Sequence, residues 1–452
     1  MLTYQLTKLP GLPLYEALYR CIREDILSGR LGTGEKLPSK RALAENLKIS
    51  KITVEGAYDQ LLSEGYICSR ERQGYFVEAV ERLSAIAPAA QPPKTTPEGR
   101  IDLTSNAPAK FPFSVWSKLQ REVMLELGEQ LLLALPNQGL WQLRQAIAVH
   151  LAQFRGMQVS PNNILIGAGT DFLYNLLIQL LGRDKTYACE EPGYGKIRKI
   201  YAAGDVRCIS APMDEQGVIP EALADAQVLH ISPSHHYPTG IITPIPRRQA
   251  LLAWAGKDKW IIEDDYDSEF RFNAHPMPTM QSLDRQGRVI YMNTFSKTLA
   301  PSIRISYMVL PQPLMSEFQK KLGFYSCTVP SFEQYTLARF LSGGYFEKHL
   351  NRMRKFYKSR RNRVLTAIEN SKLSDKVSIL EENAGLHFLV KVDTDLTDSQ
   401  LVARCADAGI RIRSLSDYCR DTAENSRCLV VNYSGLTDSQ LAKLEEILKT
   451  SL

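Results

Sequence analysis

The chain has 452 residues, with 55 Lys and Arg against 49 Asp and Glu, 44% hydrophobic and 23% charged residues. That is the composition of a globular protein rather than a disordered, collagen-like or membrane-embedded one, and at about 100–200 residues per domain it predicts several domains. A net charge of +6 is too dilute to define a nucleic-acid partner by itself. No apolar run approaches the ~18 residues of a membrane helix, and residues 1–9 lack a signal-peptide core. The eight cysteines show no C-x-x-C pair and no histidines at zinc spacing, so a reducing cytosol and no structural metal are expected.

In chain order, Leu14, Leu18, Ile22 and Ile26 recur every four residues and predict an amphipathic helix, which Gly29, Gly32 and Gly34 stop. A second short helix fits residues 39–47. A third begins at Ser50, whose hydroxyl can cap the Thr53 amide, and ends at Gly65. Residues 66–70 and 75–77 read as strands joined by Glu71-Arg72-Gln73-Gly74. Three helices and a hairpin describe a winged helix-turn-helix. Its third helix would enter the major groove with Lys51 and Thr53 near bases, while Lys40, Arg41, Arg70 and Arg72 meet phosphates. Small helical units of this kind also serve as protein–protein modules.

Gly34-Glu35-Lys36-Leu37-Pro38-Ser39, Ser50-Lys51-Ile52-Thr53-Val54, Glu64-Gly65-Tyr66-Ile67 and Gly74-Tyr75-Phe76-Val77 together resemble the GntR-type winged helix, over residues 11–77. The resemblance implies DNA contacts from Ser39, Arg41, Ser50, Lys51, Thr53 and Gly74. Lys51 stands where many members carry Arg, so its contact is a point charge rather than a bidentate fork. Residues 79–100, interrupted by Pro88, Pro92, Pro93 and Pro97, read as a linker between a unit of residues 1–78 and one of residues 101–452. The larger unit alternates helix-period and strand-like segments as an α/β domain does.

Ile164-Leu165-Ile166 is strand-like and runs into Gly167-Ala168-Gly169-Thr170 and a helical stretch. Small residues opening a helix after a strand make an anion cradle, although such turns are also common for steric reasons. A second strand ends in Glu263-Asp264-Asp265-Tyr266, and a third, 289–292, runs into Thr294-Phe295-Ser296-Lys297 with Arg304 close behind. A phosphate cradle, a carboxylate and a lysine at three strand ends are the parts a pyridoxal phosphate site requires.

That order resembles the fold type I aminotransferases. Ser234-His235-His236-Tyr237-Pro238-Thr239-Gly240, Glu263-Asp264-Asp265-Tyr266-Asp267 and 294–301 resemble the aminotransferase-like domain of MocR regulators, in which a GntR-type winged helix is fused to this domain. The resemblance implies a multidomain chain: a winged helix-turn-helix, then an α/β transferase unit with a large, mostly parallel sheet and a small C-terminal α+β subdomain. It implies Lys297 as the aldimine lysine, Asp264 as partner of the pyridine nitrogen, Tyr266 as partner of O3′ and Tyr194 against the ring. Gly169, Thr170, Thr294 and Arg304 would hold the phosphate.

The departures fall on the amino-acid side. Counting back from Gly435 puts Val430 where aminotransferases carry the arginine that clamps the substrate carboxylate, with Arg427 three residues away. Tyr237 replaces a usual Asn, Asn106 a usual Gly, and no tyrosine stands at 133–136. A bidentate clamp on a buried carboxylate is worth roughly 2–5 kcal/mol. The expectation is therefore a cytoplasmic, homodimeric regulator binding double-stranded DNA with two half-sites. It would sense pyridoxal phosphate and control its synthesis or salvage rather than act as an enzyme. A working aminotransferase, or a regulator answering an amino acid or dipeptide as well, is the alternative. A basic stretch, Lys348, Arg352, Arg354, Lys355, Lys358, Arg360, Arg361 and Arg363, reads as a solvated helix face or an auxiliary DNA or interdomain surface.

Overall fold

A computed structural model describes residues 4, 13–80, 100–104, 110–272, 277–420 and 425–450. The linker prolines and Asn106 lie outside the described residues. The chain divides into two compact units, Met1–Thr96 and Pro97–Leu452.

The first unit consists of α1 (Leu14–Ser28), α2 (Lys40–Leu47), α3 (Lys51–Ser63), β1 (Ile67–Arg70) and β2 (Gly74–Val77). Gly29 ends α1 in the left-handed region at φ 79°. Ser39 Oγ accepts from Ala42 N at 3.2 Å and Ser50 Oγ from Thr53 N at 3.1 Å, so each serine stands just outside the helix it starts. The predicted second helix is therefore one residue shorter at its start, and α3 closes at Ser63, before Gly65. Leu18, Ile22, Leu43, Val54, Tyr58 and Leu61 meet in one core with Ile67 and Val77 of the hairpin. Leu61→Ala would cost about 2–5 kcal/mol there, a large part of the stability of so small a unit. The hairpin pairs Ile67 with Val77 and Arg70 with Gly74, and a bridge from Lys36 to Phe76 ties it to the loop before α2.

The second unit is built on an eight-stranded sheet in the order Ile164–Gly167, Ser306–Val309, Val289–Thr294, Trp260–Asp264, Val228–Ile231, Tyr187–Glu191, Cys208–Asp214, Gly217–Val218. The five strands from Val289–Thr294 to Cys208–Asp214 are parallel. Ser306–Val309 runs antiparallel to both neighbours, and Ser306 lies opposite Thr294 on one side and Gly167 on the other. Near-continuous apolar strands are what burial on both faces demands. Alternation sends Ile164, Ile166, Tyr291 and Tyr307 into one core with Trp116, Leu143 and Phe340. It sends Leu165, Ile290, Met292 and Met308 into another with Leu177, Tyr201 and Phe318. A long helix, Tyr345–Glu369, leads to a four-stranded antiparallel sheet ordered Val377–Leu380, His387–Val392, Cys428–Asn432, Arg413–Ser414. Its core holds Phe388, Val390, Leu429, Val431 and Leu444. Among the described residues no helix is long and apolar enough to cross a membrane.

Candidate functional site

The strands ending at Gly167, Asp264 and Thr294 point their carboxyl ends the same way, the edge where open α/β sheets bind ligands. A cavity of about 340 Å³ opens there, lined among others by Thr170, Tyr194, Asp264, Tyr266, Thr294, Lys297 and Arg304. Three consecutive acids end one strand, and the pleat separates their roles. Glu263 accepts from the amides of Met280 and Gln281 at 2.8 and 2.9 Å, and Asp265 pairs with Arg155 at 2.9 Å. Asp264 alone of the three lines the cavity. Its Oδ2 takes the Tyr174 hydroxyl, while Oδ1 is buried without a hydrogen-bond partner among the described residues.

Lys297 sits in the one-turn helix Phe295–Thr298. Burial pushes its ammonium below the ordinary lysine value, with Asp267 and Asp264 opposing, which favours the neutral, nucleophilic amine. Tyr266, whose phenol burial pushes well above its ordinary value, lies 3.2 Å from His235 Nδ1. Tyr194 is half-exposed at the start of helix Gly195–Ala203, edge-on to Tyr237 with ring centroids 5.9 Å apart.

At the cradle, Gly169 adopts φ 90°, and a Cβ there would lie 2.1 Å from Arg304 Nη2. Arg304 itself is left-handed at φ 49°, so backbone and guanidinium close together over the first turn of helix Thr170–Leu181. Asp171 Oδ2 links Lys196 at 2.6 Å and Arg304 at 3.4 Å. Thr294 Oγ1 accepts from Ser296 N at 3.1 Å and from Ser306 Oγ at 2.8 Å. The sequence reading missed Ser296, whose Oγ is buried without a partner among the described residues, and the Lys196–Asp171 pair. Ser296 stood next to Lys297, a signal in plain view. The Lys196 contact spans 25 residues and had none.

Val430, which does not line the cavity, is 1% exposed and packs with Leu389, Tyr418, Leu415 and the cavity-lining Tyr237. Tyr237 and Tyr418 join hydroxyls at 2.7 Å. Arg427 precedes strand Cys428–Asn432, its amide held by Asp398 at 2.7 Å. At about 3.3 Å per residue it lies roughly 10 Å along the strand from Val430, and it is not among the cavity-lining residues.

In the first unit, Arg41 and Lys51 are exposed and, among the described residues, pair within their own helices, with Glu45 at 3.1 Å and Glu55 at 3.3 Å. Arg72 is exposed in the wing turn at φ 60°, and Gly74 has φ 106°. Thr53 shares its hydroxyl with Ser50 at 2.7 Å. Two of the basic residues are more committed than a free phosphate ligand: Lys40 bonds Asp59 at 2.9 Å over the Tyr75 ring, and Arg70 lies over the Phe76 ring. Ile52, which the sequence reading passed over, is 78% exposed at the start of α3.

Much of the basic stretch is structural. In helix Tyr345–Glu369, Arg354 and Arg361 donate to the carbonyls of Glu269 and Glu382, and Arg360 and Arg363 pair with Asp438 and Glu445. Lys348, Arg352 and Lys355 are exposed.

Fold and site define a two-part protein, a winged helix joined to an aminotransferase-type α/β unit. The description "Bacterial regulatory proteins, gntR family" matches residues 14–77. An archaeal alanine:glyoxylate aminotransferase superposes with a TM-score of 0.69 at 22% identity, covering 78% of this chain and 92% of that one. The probable rhizopine catabolism regulatory protein MocR of Rhizobium meliloti is 34% identical over 430 residues, 89% of this chain and 87% of that protein. The pyridoxine biosynthesis transcriptional regulator PdxR of Corynebacterium glutamicum is 32% identical over 413 residues, 90% of this chain and 88% of that protein. The chain belongs to the gntR-family HTH-type transcriptional regulators of the MocR type.

Proposed function

We propose that this protein binds a double-stranded operator through its winged helix and pyridoxal phosphate through its aminotransferase-like unit, and that the cofactor itself shifts DNA binding. The observation that carries this reading is an asymmetry of one cavity. Groups suited to the cofactor converge on it, whereas the clamp position is taken by Val430, which does not line it and is buried with Tyr237, Tyr418 and Leu389. Pyridoxal phosphate supplies an aldehyde that condenses with a primary amine. Lys297 offers that amine, Asp264 Oδ1 an unpaired acceptor for the pyridinium N–H, and Tyr266 a phenol for O3′. Gly169, Thr170, Thr294, Ser296 and Arg304 grip the phosphate, and Tyr194 covers the ring. The name of the Corynebacterium relative points the same way, towards vitamin supply.

On the DNA side, Lys51, Ile52 and Thr53 open the recognition helix, and the exposed Ile52 offers apolar contact to a thymine methyl. Ser39, Arg41, Arg72 and Gly74 flank them for phosphates, Lys40 and Arg70 more tightly held. Leu125, Leu132, Leu133 and Phe324, each more than two-thirds exposed on the second unit, are candidates for self-association, consistent with a homodimer on two half-sites, in the cytoplasm.

The test titrates the upstream region of the protein's own gene with cofactor-free and cofactor-loaded full chain, with and without amino acids and dipeptides. Coupling of the usual 1–3 kcal/mol predicts a roughly 5- to 150-fold change with cofactor and little more with amino acids. No cofactor effect would end the sensing reading. A large further shift from one amino acid would end its cofactor-only part, and turnover on the order of 1 per second would make the protein an aminotransferase.

A further inference from the structure

Beside Lys297 the cavity wall holds a group the cofactor reading does not use. His235, Asp267 and His387 are 2%, 1% and 1% exposed, and one ligand atom from each lies within 4.8 Å of the others. His235 Nδ1 is 3.0 and 3.1 Å from the two Asp267 oxygens, and the rings of His235 and His387 have centroids 4.6 Å apart. His387 Nε2 donates to the Pro238 carbonyl at 3.1 Å, which leaves Nδ1 as a lone pair. A metal-binding histidine is oriented in this way, by its second nitrogen on a carbonyl or carboxylate. His235 Nε2 is buried without a hydrogen-bond partner among the described residues.

We propose that His235, Asp267 and His387 form a binding site for a divalent transition-metal ion. Two imidazoles and a carboxylate are the donor set of three-ligand sites that keep further positions open. Here Asp267 and His387 line the cavity, so the open position faces it. Ligand atoms around a tetrahedral zinc stand about 3.3 Å apart at bonds of 2.0–2.1 Å. The His235 Nδ1–Asp267 separations of 3.0 and 3.1 Å fall within about 0.3 Å of this value, and His387, within 4.8 Å of both, would close by at most about 1.5 Å. Room for the His235 ring depends on Gly385: at φ 69°, a Cβ there would fall 1.8 Å from His235 Cε1. The ligands come from residues 235, 267 and 387, brought together by three separate segments, and so show no metal spacing in the sequence. The site stands whether or not the cavity takes pyridoxal phosphate.

The experiment adds Co²⁺ alone to tag-free full chain previously dialysed against a chelator, read by visible d–d absorption and by calorimetry. One Co²⁺ per chain is expected, displaced by Zn²⁺. His387→Gln and Asp267→Asn, checked for unchanged circular dichroism, should each weaken binding by at least about tenfold. Lys297→Ala should bind Co²⁺ at least as tightly as the wild type, since none of the three ligands is removed; this separates the metal from the cofactor. Absence of d–d bands in the wild type, or bands that survive both His235→Ala and His387→Gln, would overturn the assignment.

Discussion

Gly169→Ala is the sharpest perturbation of the cradle, because its whole effect on ligand passes through one neighbour. The new Cβ would stand 2.1 Å from Arg304 Nη2 and 2.4 Å from Cζ, so the guanidinium must swing away. A hydrogen bond to a charged group contributes about 1.5–3 kcal/mol. The Arg304 side chain is 48% exposed, so screening selects the lower part of that range, about 1.5–2 kcal/mol. At 1.4 kcal/mol per decade, pyridoxal phosphate affinity should fall roughly 10- to 30-fold. The extended positive-φ backbone at Gly169, φ 90° and ψ 163°, adds about 1–3 kcal/mol of strain for a residue with a Cβ, which bound and free protein share. It therefore lowers the melting temperature and leaves Kd alone. The assay is titration of the visible cofactor band with Gly169→Ala, Arg304→Ala and the double variant. Acting through a common group, the two changes must be far from additive. Wild-type affinity in Gly169→Ala, or losses that multiply in the double variant, would refute the argument.

Lys297→Ala should abolish the visible band, and Asp264→Asn should weaken binding and move the band's position, both measured by absorption spectroscopy. Arg41→Ala and Lys51→Ala should each weaken operator binding; for each phosphate contact removed, the slope of log K against log salt should flatten by about 0.9, as seen by fluorescence anisotropy at several salt concentrations. Glu269 is pushed up to about 7 by burial, with Asp265 adding. The folded state thus holds a proton that the unfolded state releases, and this contribution to stability falls as pH rises from the ordinary carboxyl range towards 7. Glu269→Gln should flatten that part of the pH–stability curve in denaturant melts, and an unchanged slope would count against the buried proton.

What could be read from the sequence was local. Ser39 and Ser50 announced two helix starts because a cap is a contact across three residues, and the strand-end positions of Asp264 and Lys297 followed from the period of apolar residues. The apolar period alone did not separate Glu263, Asp264 and Asp265; the resemblance singled out Asp264, and the pleat gives Glu263 to Arg248 and Asp265 to Arg155 and Tyr291. The basic run 348–363 could not reveal that Arg354 and Arg361 end on carbonyls of other segments. His235, Asp267 and His387 escaped notice for the same reason, since only tertiary pairing makes them neighbours.

One strand has a consequence for how the protein matures. The turns after Gly167 and Thr294 belong to segments more than a hundred residues apart, and they stand level only because each is opposite Ser306. Ser306–Val309 is four residues long, so it acts as a short ruler, and slipping it by one position would pull the two halves of the anion grip out of line. A phosphate ester spanning both turns can therefore be held only by chains whose three strands have paired in the right register. On the proposed reading, pyridoxal phosphate present during folding would favour chains with finished sheets over nearly finished ones.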